Sequence, residues 1–313
     1  MTGGSTTTTG EPESPAAASP SALALSAGTG TLLLWSGTPI ANKVAVGYMD
    51  GLTAGLLRST LAGAVALIVA CAMRLPFPEP LRDRAMLALA GIASFAAWPV
   101  TLSIGMQYTT AGHAALILAT IPVIAVLIAA ALDRHPPKAG WWLGAAVALT
   151  GCAVLVAARG ELFAASQRGT TLGGDLIVFT GGVICAVGYV AGGRLSPRIG
   201  TAATTFWGLS IAMIVLVPFF LAVQQNTAWS QVEVSGWLAM GWMSLLSSLA
   251  AYVLWFYALG RGGIRRISSL LLVMPAVTLL GAAVLLGEPL TWLLLVSCAA
   301  VIAGTYFAQR HAG

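Results

Sequence analysis

YTTAGHAALILATIP, residues 108–122, lies over RGGIRRISSLLLVMP, residues 261–275, when the chain is slid along itself by 153 positions. The apolar register holds along both stretches, Pro122 falls on Pro275, and further on Gly151 falls on Gly304. Similarity at a fixed offset marks a repeated structural unit. Here it is clearest over the last three apolar blocks of each half.

Working outward, blocks long enough to cross about 30 Å at about 1.5 Å per residue are predicted near 22–46, 51–72, 85–105, 112–132 and 140–158. Five more are predicted near 174–193, 203–223, 236–259, 266–286 and 290–308. The chain then divides into a disordered tail (1–21), a first five-helix repeat (22–158), a linker (159–173), a second five-helix repeat (174–308) and a short tail (309–313). Because each repeat has an odd number of helices, the two must face opposite ways. The expected fold is an all-α integral membrane protein of ten transmembrane helices in two inverted repeats. That architecture puts a site near midplane between the halves and lets access alternate as one half rocks against the other.

Composition agrees. Of 313 residues 58% are hydrophobic and 8% charged, against roughly a quarter charged in a soluble domain, and the mean hydropathy is +0.89. The net charge of +5 does not point to nucleic acid, because the cations sit mostly between apolar blocks and report topology. With a cytoplasmic N-terminus, eleven of the fifteen Lys and Arg fall in inner connections and only Arg159 and Arg168 in outer ones. Lys43 and Arg58 lie inside helices. A multi-pass protein of the cytoplasmic (inner) membrane with both termini in the cytoplasm is therefore expected. The first 21 residues carry Glu11 and Glu13 but no Lys or Arg, unlike the basic start of a secretory signal.

Catalytic chemistry finds no foothold. There is no GxxxxGK[ST] phosphate loop and no HExxH, and LGGD at 172–175 falls short of an intramembrane aspartyl-protease word. The four cysteines lie within apolar blocks without metal or disulfide spacing. The expectation is no enzyme, no catalytic residue, no metal and no cofactor. The partners expected are a small-molecule solute and the lipid bilayer, with monomer and homodimer both open.

Four stretches carry a resemblance: LLLWSGTPIANK (32–43), LLRSTLAGAVAL (56–67), AYVLWFYALGRGGIRRISSLLLVMPAV (251–277) and LLGEPLT (285–291) followed by Gly304. In this order they resemble EamA-type members of the drug/metabolite transporter superfamily, over about 28–308. The resemblance implies ten helices, cytoplasmic termini and, usually, efflux of metabolites, amino acids or drugs. Two positions depart from the family pattern. His135 stands where the repeat would match Glu288, and Ala186 where the sixth helix commonly has Trp.

Ionisable groups within a span usually face a cavity or a partner, which makes Lys43 and Arg58 the first candidates. Either they form a cationic patch for a carboxylate, or Lys43 snorkels to the interface and Arg58 pairs with Asp50 or caps backbone carbonyls. Trp35, Thr38 and Asn42 share a face of the first helix at i, i+3, i+7 and form a candidate cavity wall, with Pro39 a candidate hinge. Ser244, Ser248, Tyr252 and Trp255 form a polar and aromatic stripe on the eighth helix. There Tyr252 and Trp255 are the candidate solute contacts, while the serines equally suit helix packing. Trp98, Gln107, Tyr108 and Tyr189 are added on position. Pro122 and Pro275 are read as gating bends or fixed kinks, and His113 as a proton site or a satisfied interfacial histidine. Glycine pairs such as Gly188 and Gly192 are read as packing positions. Export of amino acids or similar metabolites, by facilitated diffusion or gradient coupling, is the leading expectation, with lipophilic drugs or cations as the alternative.

Overall fold

In a computed structural model the protein is described for residues 22–157, 171–262, 267 and 269–311. The tail at 1–21, most of the 159–173 linker with Arg159 and Arg168, and Arg265 and Arg266 lie outside the described residues. The described chain is helical, with no strand among the described residues. The helices are α1 (Ala22–Ala45), α2 (Gly51–Ala72), α3 (Leu81–Met106), α4 (Ala111–Asp133), α5 (Ala139–Ala157), α6 (Leu172–Ile199), α7 (Thr201–Val223), α8 (Val234–Arg261), α9 (Ser269–Leu286) and α10 (Trp292–Arg310). Among the described residues, nine helices are long and apolar enough to cross a membrane. The remaining one, α1, has 24 residues but is diluted by Thr31, Ser36, Thr38, Asn42 and Lys43, which face its neighbours.

The helix boundaries follow local chemistry. Asp50 caps α2 by accepting from the Thr53 backbone N–H at 2.9 Å, and Thr110, Thr171 and Thr291 cap α4, α6 and α10 in the same way. Side-chain caps of this kind occupy backbone donors that a helix start leaves free. Gly200, at φ +88°, breaks what would be one rod into α6 and α7. Two expectations are adjusted. α3 begins at Leu81 and α6 runs on to Ile199, because polar and charged residues at those ends extend the helices beyond their apolar cores.

The 153-residue offset is kept in the backbone. α5 and α10 begin at 139 and 292, and the second segment of α4, Ile121–Asp133, matches Met274–Leu286 of α9. Each of these segments ends on a left-handed residue, Arg134 and Gly287. π-helical turns end at Ala97 in α3 and Ala250 in α8. The most extensive helix contacts join α5 to α10 and α2 to α7, which are repeat mates. α1 docks on α8 and α9 of the other half, while α6 docks on α3 and α4, so the two halves interlock.

Contacts between turns define two ends. At one, Glu288 bonds α4, the Thr171 N–H donates to the Tyr108 carbonyl at 2.8 Å, and the Tyr48 hydroxyl donates to Glu233 at 2.9 Å. At the other, Arg198 pairs with Asp83, Arg194 with Asp133, and the Trp207 indole N–H donates to the Leu75 carbonyl at 3.3 Å. These are called the Glu288 end and the Arg198 end.

Candidate functional site

A cavity of about 600 Å³ opens within the bundle. It runs from Trp35 and Tyr252 near the middle to Ser196, Thr201 and Gln309 at the Arg198 end. Toward the Glu288 end it stops on a packed cluster that includes Leu102, Ile117, Val178 and Ala282.

Aromatic rings build one wall. Trp35 meets Tyr252 edge-on at 5.2 Å between centroids and Trp255 at 5.5 Å, and Phe95 and Phe256 each lie 6.0 Å from Tyr252. Edge-on and tilted pairs of this kind fix ring positions. The Trp35 indole N–H donates to the Ser247 carbonyl at 3.0 Å, and the hydroxyls of Thr38 and Ser247 lie 2.6 Å apart. The wall is thus set by hydrogen bonds as well as by packing.

Arg58 faces this wall from α2. Its side chain is 7% exposed, and neither Nε nor Nη1 has a hydrogen-bond partner. The expected alternative of a pair with Asp50 is not realised: Asp50 bonds Thr53 at the start of α2, and Arg58 lies about two turns further along that helix. Among the described residues lining the cavity, Arg58 is the only one of Asp, Glu, Lys, Arg or His.

Of the other candidates, Trp98, Tyr189, Pro122 and Pro275 also line the cavity. Tyr189 is 47% exposed because its ring faces the cavity. It supplies the α6 aromatic one turn after Ala186, which is itself packed in the core. Pro122 and Pro275 each occupy the first turn of a helical segment, where the missing N–H costs nothing. Pro39 lies inside the continuous α1 and off the lining.

Three candidates stand elsewhere. Asn42 shares the Trp35 face of α1 but lies a turn beyond the cavity floor, where its amide donates to Ser103 at 3.1 Å. Lys43 does not join Arg58: partly buried, its ammonium donates to the carbonyls of Met106 at 2.8 Å and Thr109 at 2.6 Å. Met106 is the last residue of α3 and Thr109 lies in the turn after it, so the cation sits at the negative end of that helix. Tyr108 is in the turn that follows, 43% exposed.

His113 belongs to the same end. Its Nδ1 is 3.1 Å from Asp175, which also accepts from the Thr109 hydroxyl. Beside it Glu288 accepts from the N–H groups of Ala111 and Gly112. The Glu288 end is therefore tied by a polar layer, while the Arg198 end leads into the cavity.

Sequence reading passed over Ser59, Ser94 and Ser247, all on the lining. Ser247 is the instructive case. α-Helical spacing puts Ser244 and Ser248 on the stripe, but residues 242–250 are π-helical, where i→i+5 bonding stacks Ser247 beneath Tyr252. Ser244, which α-helical spacing put on the stripe, is buried off the cavity.

The sequence profile of the EamA-like transporter family matches residues 22–157 and again 172–309. The chain is 28% identical over 282 residues to the "Uncharacterized transporter YdeK" of Bacillus subtilis, covering 90% of this chain and 95% of that one. It is 30% identical over 283 residues to a "Probable terminal-alkyne amino-acid exporter" of Streptantibioticus cattleyicolor, covering 90% and 91%. A crystal structure of a protein 22% identical in sequence matches with a TM-score of 0.62, over 92% of this chain and 97% of that one, which bears on the fold alone. These names are those of transporters, not enzymes. With two matches to one family spanning almost every described helix, this multi-pass membrane protein belongs to the EamA-like transporter family.

Proposed function

We propose that the chain is an alternating-access secondary transporter that exports small organic metabolites such as amino acids across the cytoplasmic membrane. In this reading α1 is a tenth transmembrane helix and the two repeats are inverted. Inversion is supported by repeat mates at opposite ends: the Asp133–Arg134 turn joins the Arg198 end, and its mate at Leu286–Gly287, beside Glu288, joins the Glu288 end. The Arg198 end is cytoplasmic in this reading, since the Arg and Lys residues of the connections gather there.

Arg58 carries the substrate reading. A buried guanidinium without a counter-ion is costly, and a solute carboxylate supplies two acceptor oxygens matched to its fork. The neighbouring rings of Trp35, Tyr252 and Trp255 suit an apolar side chain. A lipophilic cation also suits aromatic rings, but it would meet the Arg58 charge. With no Asp, Glu or His among the described lining residues, facilitated diffusion, or the membrane potential acting on the solute's own charge, is the proposed driving mode.

Flux of radiolabelled amino acids and of cationic dyes in proteoliposomes, with and without a pH gradient, tests this. Amino-acid flux should be saturable and insensitive to the pH gradient. It should fall about tenfold or more in Arg58→Ala, since a hydrogen bond to a charged group contributes about 1.5–3 kcal/mol. Dye flux without amino-acid flux would overturn the reading.

A further inference from the structure

We infer that the cavity recognises the carboxylate of its solute and not the amine, so that an apolar monocarboxylate lacking an amino group is a ligand at least as good as the matching amino acid. The inference rests on the carboxylate reading of Arg58 above and deepens it.

Charge is the first argument. Arg58 with a monocarboxylate is neutral, whereas Arg58 with a zwitterion leaves one positive charge in a cavity whose other described lining residues are all uncharged. An ammonium taken from water needs a counter-ion or several acceptors. No carboxylate lies among the described lining residues, and the segment at 263–268, GIRRIS, contains none in sequence.

Acceptors are the second argument. Those nearest the aromatic wall are neutral oxygens already tied into the wall's own hydrogen bonds, and none carries a charge. The Ser247 carbonyl accepts from Trp35 Nε1, the Ser247 hydroxyl is shared with Thr38, and the Ser248 hydroxyl donates to the Met243 carbonyl. What remains for an ammonium is uncharged: hydroxyl oxygens such as those of Ser59 and Thr305, which have no partner, and the face of an aromatic ring, whose attraction for a cation is modest unless the ion is fully stripped of water. The guanidinium, by contrast, has both Nε and Nη1 unpartnered.

The test is equilibrium binding, by titration calorimetry on the full chain in detergent, of phenylalanine, 3-phenylpropanoate and 2-phenylethylamine. These share a side chain and differ only in which charged group is kept. Expected is 3-phenylpropanoate binding at least as tightly as phenylalanine, with the amine bound at least about tenfold more weakly than either, the loss of one charge-assisted contact. Arg58→Gln should then erase the difference between the carboxylate and the amine. Phenylalanine binding more tightly than 3-phenylpropanoate would overturn this inference and leave the carboxylate site standing. Tighter binding of the amine than of both carboxylates, or no carboxylate binding at all, would overturn the proposed function with it. The wild-type comparison needs no variant, so a poorly folding Arg58→Gln does not weaken it.

Discussion

Glu288, in the turn between α9 and α10, accepts hydrogen bonds from the backbone N–H groups of Ala111 at 2.7 Å and Gly112 at 2.9 Å. A carboxylate from the second half of the chain thus caps a helix of the first. The helix start offers free donors and a partial positive charge, both of which favour an anion. In the proposed alternating access, opening at this end would separate the two. Glu288→Ala should cost about 0.5–2 kcal/mol, the range for loss of a helix cap, and should loosen the closed end. In a Cys71→Ser background, a cysteine placed by Met106→Cys reports this directly, because Met106 is fully buried behind the polar layer. A thiol reagent should label it faster once Glu288 is Ala, and an unchanged rate would show that the cap does not hold this end shut.

Asp175 is fully buried and holds both Thr109 and His113. Removing one member of a buried charged or hydrogen-bonded set strands the others, so Asp175→Ala should destabilise by about 3 kcal/mol or more, read as a drop in thermal unfolding temperature. His113 lies in this closed layer and off the cavity lining. Under the proposed facilitative mode, His113→Gln should keep its flux unresponsive to a pH gradient. A gradient response present in the wild type and lost in His113→Gln would instead assign the histidine to proton coupling.

The offset that aligned Pro122 with Pro275 also aligned α5 with α10 and Arg134 with Gly287, because a repeat preserves both apolar spacing and the places where the chain must turn. Arg58 was legible for a different reason: a charge in an apolar block has few excuses. Legibility failed where one physical cause was missing from the pattern. Lys43 looked like Arg58 in sequence, but only the fold brings the carbonyl end of α3 to its ammonium. Asn42 shared a face with Trp35, yet periodicity carries no depth and could not tell wall from floor. Ser247 was missed because an α-helical period was applied across a π-helical turn, and nothing in WMSLLSSLA announces i→i+5 bonding.

Gly304 and Gly144 hold α5 and α10 together at backbone distance. A Cβ at Gly304 would lie 2.5 Å from the Ala148 nitrogen and 2.6 Å from the Gly144 carbonyl oxygen, neither of which can rotate away. Gly304→Ala should therefore force the helices apart and cost about 1–3 kcal/mol, the range for overpacking. Gly241, in α8, is the matched control, since its added Cβ would meet nothing within 4 Å. Gly241→Ala should stabilise by about 0.5–1 kcal/mol through the lower entropy cost of alanine in a helix. Equal effects of the two substitutions on melting temperature would mean that the α5–α10 contact is not set by glycine.

Trp35 joins the cavity wall by its ring and by its indole N–H, and two substitutions separate these. Trp35→Phe keeps an aromatic face against Tyr252 and Trp255 but loses the bond to the Ser247 carbonyl, whereas Trp35→Ala loses both. Aromatic contacts contribute about 0.5–1.5 kcal/mol beyond area, and the apolar area of the ring adds about 25 cal/mol per Å². Binding of an aromatic carboxylate should thus weaken about tenfold or more in Trp35→Ala, and by less in Trp35→Phe. Binding of a small aliphatic carboxylate such as acetate, which reaches Arg58 without covering the ring, should change little in either. If acetate and the aromatic ligand lose affinity equally in Trp35→Ala, the ring acts by holding α1 against α8 and not by touching the solute.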